Sequence, residues 1–314
     1  MDQSLLDTMR VVALPMKTNF RGIKVREVAL FKGEYGWGEF SPFLEYSHEE
    51  SAPWLMSAIE AATKPRPKLY RNSVKVNGTI PALNDSKDIE GIVNSFPGVN
   101  TFKVKVGDNV SEDIARLAKV RALRPHAALR IDVNGNWSVG EAITNLRAIY
   151  ENLGALEYVE QPCVTLDELR ELKSSIHIPL KIAVDEAVRK AKDPFAINLE
   201  GAADIVMLKV QPLGGIARAQ ALAEHHKLPV VVSSALESAV GVNYGLILAA
   251  SFSEMNFDCG LGTGALLSAN VGQLPIVNGE IEIREFEPEI AGYEVAPERY
   301  EWWKNRVMKT AELL

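Results

Sequence analysis

The chain has only two cysteines in 314 residues, Cys163 and Cys259, and they stand far apart. Neither belongs to a CxxC or Cys/His cluster, which disfavours a disulfide framework and a thiolate zinc site alike. No window approaches the roughly 18 consecutive apolar residues of a membrane span. The opening MDQSLLDTMRVVALPMKTNF is acidic at Asp2 and lacks an uninterrupted apolar stretch, so it does not read as a signal peptide, and a cytoplasmic protein is expected. Basic blocks are missing as well: 34 Lys+Arg stand against 41 Asp+Glu, for a net charge of −7. Nucleic acid and anionic membrane are therefore not expected as partners. Low-complexity tracts are absent, and no glycines form the GxGxxG turn of a dinucleotide site after a first strand.

What remains is an ordinary globular mixture, 47% hydrophobic and 24% charged. Its length suits two domains, or one barrel of about 250 residues with an appendage. From residue 100 onward, apolar runs alternate with amphipathic helical stretches: TFKVKVG (101–107), LRIDVNGNW (129–137), EYVEQP (157–162), LKIAVDEA (180–187), ADIVMLKV (203–210), PVVVSSALES (229–238) and FDCGLGTG (257–264). Helical patterns fall at 112–123, 140–153, 166–175 and 216–226. Strand then helix, repeated, means parallel βα units, and SVKVNGTIPA (73–82) taken as a first strand gives the eight of a closed barrel. An open doubly wound sheet is the alternative. Residues 1–72 alternate as antiparallel strands would, then give the capped helix SHEESAPWLMSAIEAAT. A small α+β domain is expected there, completed by the helical segment 288–314, with the barrel over 73–287.

In a parallel barrel the active site lies where the strands end, so the polar residues closing each apolar run are the candidates. They are Lys103 and Lys105, then Asp132 and Asn134, Glu160, Asp185 and Glu186, and Lys209. Asp132, Glu160 and Asp185, on three successive strands, converge on one hard cation, and an all-oxygen set suits Mg²⁺. Lys105 and Lys209 lie on opposite sides of the mouth. A lysine beside a cation and another lysine should have a lowered pKa and serve as a general base. Together these groups describe proton abstraction next to a carboxylate. Any one of them alone is more often a loop cap or a surface ion pair. Five at the same phase of consecutive repeats are not explained that way. Lys103 shares the face of Lys105 and either assists the base or pairs with a carboxylate. Asn134 is a turn residue of NGN, or it contacts the substrate or supports the ligands from behind, and Glu186 stands behind the ligands.

These motifs, the Lys-x-Lys of TFKVKVG, the Asp of RIDVNGNW, the Glu of VEQP, the Asp-Glu of AVDEA and the Lys of VMLKVQPLGG, resemble the enolase superfamily in its muconate-lactonizing subgroup. The resemblance covers nearly the whole chain. It implies a modified (β/α)₇β TIM barrel with a small N-terminal α+β capping domain, Asp132, Glu160 and Asp185 as Mg²⁺ ligands with Mn²⁺ as a substitute, and Lys105 and Lys209 as the acid/base pair. Dipeptide epimerases of the subgroup carry Asp-x-Asp at the eighth strand. Here that segment is Asp258-Cys259-Gly260, which argues against an amino-group clamp.

NFRGIKVRE, GWGEFSPFLEYS and the run from Ser233 to Gly241 resemble the two-lysine members that dehydrate a cyclohexadiene carboxylate to an aromatic product. The substrate implied is a small anionic dicarboxylate. Arg21 would face one of its carboxylates or be a surface arginine, and Ser233 and Ser234 would donate to it or simply leave room. Racemisation of an N-succinylamino acid by two opposed lysine bases is the rival reaction. A catalytically silent binding barrel predicts erosion of the triad or lysines, and all five are present. Oligomeric state is not legible.

Overall fold

The computed structural model describes residues 2–20, 22–83, 85–107 and 109–314. A short helix, α1 (Gln3–Asp7), precedes an antiparallel sheet of β1 (Arg10–Phe20), β2 (Ile23–Gly33) and β3 (Gly36–Phe40), with Arg10 paired to Leu30 and Ala29 to Phe40. Period-two alternation divides this sheet between two cores. Val11, Ala29 and Phe31 face α2 (His48–Thr63), against Trp54, Leu55 and Ala58. Val12, Leu14, Val28 and Leu30 face the other way, onto Ala239, Val240, Leu267 and Val271. That two-sided burial is why residues 28–31 read as a continuous apolar run. A capping box starts α2: Ser47 Oγ accepts from Glu50 N–H at 3.2 Å, and Glu50 Oε2 accepts from Ser47 N–H at 3.1 Å.

The larger sheet is parallel and seven-stranded, in sequence order: β5 (Gly78–Ile80), β6 (Thr101–Lys105), β7 (Ala128–Asp132), β8 (Tyr158–Glu160), β9 (Ile182–Val184), β10 (Ile205–Lys209) and β11 (Val230–Ser233). Between successive strands run α3 (Ser86–Asn94), α4 (Val110–Leu123), α5 (Val139–Leu153), α6 (Leu166–Ser175), α7 (Glu186–Arg189) and α8 (Ile216–His226), and α9 (Ala239–Ser251) follows β11. At the eighth position two residues span the gap between the edge strands. Cys259 bridges Val76 and Gly260 bridges Ser233, with Asn77 N–H donating to Cys259 O and Gly260 N–H to Val232 O, each at 2.8 Å. The expected strand over 257–264 is thus reduced to those two residues, because a 3₁₀ helix (Gly262–Leu266) takes over at once.

The run 73–82 is likewise two elements. Its first part, β4 (Ser73–Lys75), pairs antiparallel with β13 (Glu280–Glu282) beside β12 (Ile276–Val277), and only the second part joins the barrel as β5. The other apolar runs end as strands where the polar residues of the mouth begin, so that Asp185, expected within a strand, stands one residue past β9 at the N-terminal end of α7. The last helix, α10 (Pro297–Ala311), lies on α2 with Trp303 fully buried and edge-on to Phe40 at 5.9 Å.

Candidate active site

The C-terminal ends of the parallel strands open on a cavity of about 510 Å³, walled by Lys103, Lys105, Asp132 and Lys209 below and by Phe43 and Trp54 of the N-terminal unit above. Strand register sets the level: Lys105 pairs with Asp132, Asp132 with Glu160, and Lys209 with Ser233. Lys105 and Lys209 end strands four apart in the sheet order, which places them across the mouth from one another.

Each carboxylate meets an ammonium. Lys105 Nζ donates to Asp132 Oδ2 and Asn134 Oδ1, both at 2.5 Å; Lys103 Nζ donates to Glu160 Oε2 at 2.6 Å; Lys209 Nζ donates to Asp185 Oδ2 at 2.6 Å. A chain of contacts continues from Asn134 to Glu186 Oε1 (3.2 Å), from Arg189 to Glu186 Oε1 (2.8 Å) and from Arg189 to Asp185 Oδ1 (3.1 Å), so the two lysines are joined through four intervening side chains. Burial alone would raise the Asp132 carboxyl, but the ammoniums of Lys105, Lys103 and Lys209 outweigh it and hold the group near 2. Asp185 is lowered in the same way, burial being overcome by Arg189 and Lys209. Glu160 goes the other way: burial and the negative charge of Asp132 push it up to about 7. Lys103 and Lys209 are raised, the neighbouring carboxylates overcoming burial.

Carboxylate crowding bears on metal binding. Among the described residues no three His, Cys, Asp or Glu side chains are grouped as a ready cation cage, and each of the three carboxylates accepts from a lysine. The donor set still fits a hard divalent cation. It is all oxygen, Glu160 Oε1 is buried without a hydrogen-bond partner, and the three negative charges are crowded enough that one resists ionisation.

The remaining expected residues divide. Lys103 pairs with Glu160 and, at 3.4 Å, Asp132. Asn134 is a turn residue with φ of 54°, and its side chain links Lys105 to Glu186 at the cavity wall. Ser233 and Ser234 line the cavity, the Ser234 hydroxyl within 2.9 Å of Gly260 O and 2.7 Å of Thr263 Oγ1. Arg21 lies outside the described residues. Asp258 points away from the mouth, its carboxylate accepting from Thr101 at the start of β6. A Cβ on Gly260 would stand 2.4 Å from Ser233 Oγ and 3.1 Å from Ser233 Cβ, so a side chain at the position of the second carboxylate in Asp-x-Asp requires Ser233 to shift.

Three contributors carry no clear mark in the sequence. Arg189 sits four residues past Asp185, where only its i,i+4 spacing in DEAVR signals it. Gln161, next to Glu160 and at φ of 41°, accepts the backbone N–H of Asp185 at 3.0 Å and of Ala187 at 3.2 Å, tying the ends of β8 and β9 together. Arg130, two residues before Asp132 and fully buried, plugs the barrel beneath the site through Asn77, Glu157 and the ring of Tyr158.

Family comparison agrees with this architecture. Residues 94–292 match the description "Enolase C-terminal domain-like" and residues 11–62 "Enolase N-terminal domain-like". The chain belongs to the enolase superfamily. It is 45% identical over 317 residues to the o-succinylbenzoate synthase of Mycobacterium ulcerans, covering 99% of this chain and 95% of the relative. It is 44% identical to the enzyme of the same name from Mycolicibacterium smegmatis, with 96% and 95% covered. Among solved structures, the L-Ala-D/L-Glu epimerase of Bacillus subtilis superposes with a TM-score of 0.73 at 22% identity, over 91% of this chain and 98% of that one. The muconate lactonizing enzyme of Pseudomonas fluorescens gives 0.71 at 20%, over 94% and 97%. At those identities the two structures establish the fold alone.

Proposed function

We propose that the chain is an o-succinylbenzoate synthase, a hydro-lyase that converts 2-succinyl-6-hydroxy-2,4-cyclohexadiene-1-carboxylate to o-succinylbenzoate and water, a step of menaquinone synthesis. Full-length identity to enzymes of that name supports the reaction. The observation that carries the mechanism is the pair of lysines across one mouth with three carboxylates between them. Asp132, Glu160 and Asp185 hold Mg²⁺, with Mn²⁺ a substitute, and the bound cation supplies positive charge where the substrate carboxylate gains negative charge.

Lys105, in its neutral amine form, takes the proton α to the ring carboxylate on its Nζ, which Asp132 and Asn134 position at the cavity wall. Lys209 remains an ammonium opposite. Its Nζ, 2.6 Å from Asp185 Oδ2 at the cavity wall, is placed for electrostatic stabilisation of the enediolate. The ring C–O bond then breaks, the departing hydroxide takes the proton back from Lys105 and leaves as water, and the ring becomes aromatic with Lys105 returned to its amine form. Residues 1–72, with 288–314, act as the cap that brings Phe43 and Trp54 over the barrel of 73–287.

Purified protein with Mg²⁺ should form the aromatic product from the cyclohexadiene. Lys105→Ala should lower kcat by about 10²–10⁴-fold with unchanged circular dichroism. Near-normal turnover in that variant removes Lys105 as the base. Solvent deuterium entering an N-succinylamino acid much faster than the dehydration proceeds assigns the racemase instead.

A further inference from the structure

One buried cation joins the cap to the candidate ligands. Arg189 ends the single turn of α7, and its side chain is 6% exposed. Its Nε donates to Asp185 Oδ1 at 3.1 Å, its Nη2 to Glu186 Oε1 at 2.8 Å, and its Nη1 to Tyr46 Oη at 3.2 Å. A planar guanidinium offers its donors in a fixed fork, so these three partners are held relative to one another in a way an ammonium cannot reproduce. Arg189 takes one Asp185 oxygen and Lys209 the other, which fixes the carboxylate's rotation.

Tyr46 is equally constrained on its own side. Its ring lies edge-on to Phe43 at 5.4 Å and to Trp54 at 6.2 Å, its N–H donates to Phe43 O, and its carbonyl accepts from Arg306 of α10. Phe43 and Trp54 wall the cavity. Movement of Tyr46 therefore moves the cavity roof, while movement of Arg189 turns Asp185.

We propose that Arg189 is a positioning residue that couples the seating of segment 41–47 to the orientation of Asp185, so that divalent-cation binding and ordering of that segment reinforce each other. The inference rests on Asp185 being a metal ligand. Reciprocity follows from linkage: if a seated Tyr46 favours the binding orientation of Asp185, a bound cation favours a seated Tyr46 by the same factor.

The test is a titration of EDTA-treated, full-length protein with Mn²⁺ alone, read by electron paramagnetic resonance, alongside hydrogen exchange of the amides of residues 43–47 with and without Mn²⁺. Arg189→Met should lose about 10–100-fold in Mn²⁺ affinity, and Tyr46→Phe about fivefold. The double variant should bind no more weakly than Arg189→Met. Mn²⁺ should slow exchange at 43–47 in the parent protein and leave it unchanged in Arg189→Met. Should Arg189→Met not fold, Arg189→Lys, which keeps the charge without the fork, and Tyr46→Phe carry the same comparison. Parent-like affinity and parent-like protection in Tyr46→Phe overturn the coupling. If Asp185→Asn abolishes binding while Tyr46 and Arg189 variants bind as the parent does, the coupling falls and the metal assignment stands. If the parent protein binds no Mn²⁺, both fall together.

Discussion

Single side chains at this site are legible or hidden according to where they stand on a strand. Lys105, Asp132, Glu160 and Lys209 close strands, so their phase in the βα repeat marks them in the sequence itself. Arg189 and Gln161 act from one residue to five beyond a strand end, where no periodicity points and only folding brings them to Asp185. A buried carboxyl at the junction of the two units is equally invisible in the sequence. Glu237 is fully buried, its Oε2 accepts from Ala235 N–H at 2.6 Å, and nearby Glu39 receives donors from Ser41, Ser238 and Gly241. Burial and the Glu39 charge raise Glu237 from its ordinary 4.5 to about 7. The folded protein thus keeps that proton at a pH where the unfolded chain has lost it. Its contribution to stability is complete below about 4.5 and disappears as pH rises through about 7, a change on the order of 3 kcal/mol. Glu237→Gln should therefore gain stability over the parent at pH 8 and little or none at pH 4, measured by urea unfolding at both. An equal effect at both pH values would place the Glu237 carboxyl outside this titration.

Whole elements follow a similar rule. Helices that begin with Ser or Thr and carry Glu three residues on announce themselves, as α2, α5 and α6 do through Ser47/Glu50, Ser138/Glu141 and Thr165/Glu168. Helix α9 has no such legibility. It is buried on nearly every face, from Ala239 to Ser251, and with no polar stripe the 3.6-residue period vanishes. Its position explains the burial, since it separates the parallel barrel from the antiparallel sheet of the N-terminal unit. The helical pattern of α10 is plain in the sequence, and its packing makes it part of the N-terminal core. Trp303 lies among Phe40, Leu55 and Val307, and its indole N–H donates to Glu27 Oε2 at 2.7 Å. Trp303→Ala should cost about 3–5 kcal/mol in thermal or denaturant unfolding. A loss under about 1 kcal/mol would mean that α10 contributes little to that core.

At the scale of the molecule, the alternation of strands and helices is enough to predict parallel units in order, while the way the ring closes is not legible. Eight runs can be counted in the sequence. The eighth is a seam of two residues, because glycines at 260, 262 and 264 and the 3₁₀ turn leave no length for a ladder. That seam has a bearing on the order in which the molecule assembles. Neighbouring strands of the large sheet are joined by short βα connections, whereas Val76 and Cys259 are 183 positions apart (259 − 76). Local pairs can zip along the chain as each unit forms, but the closing contact must wait for the whole circuit, and loop-closure entropy weighs most heavily there. Held by two backbone hydrogen bonds on each side, it is also where the finished ring should open first. The amides of Asn77 and Gly260 should accordingly exchange with solvent ahead of those in the middle of β7 and β8. In refolding followed by pulsed hydrogen exchange they should be among the last in the barrel to gain protection, so that a chain with every strand paired still waits on two residues to become a ring.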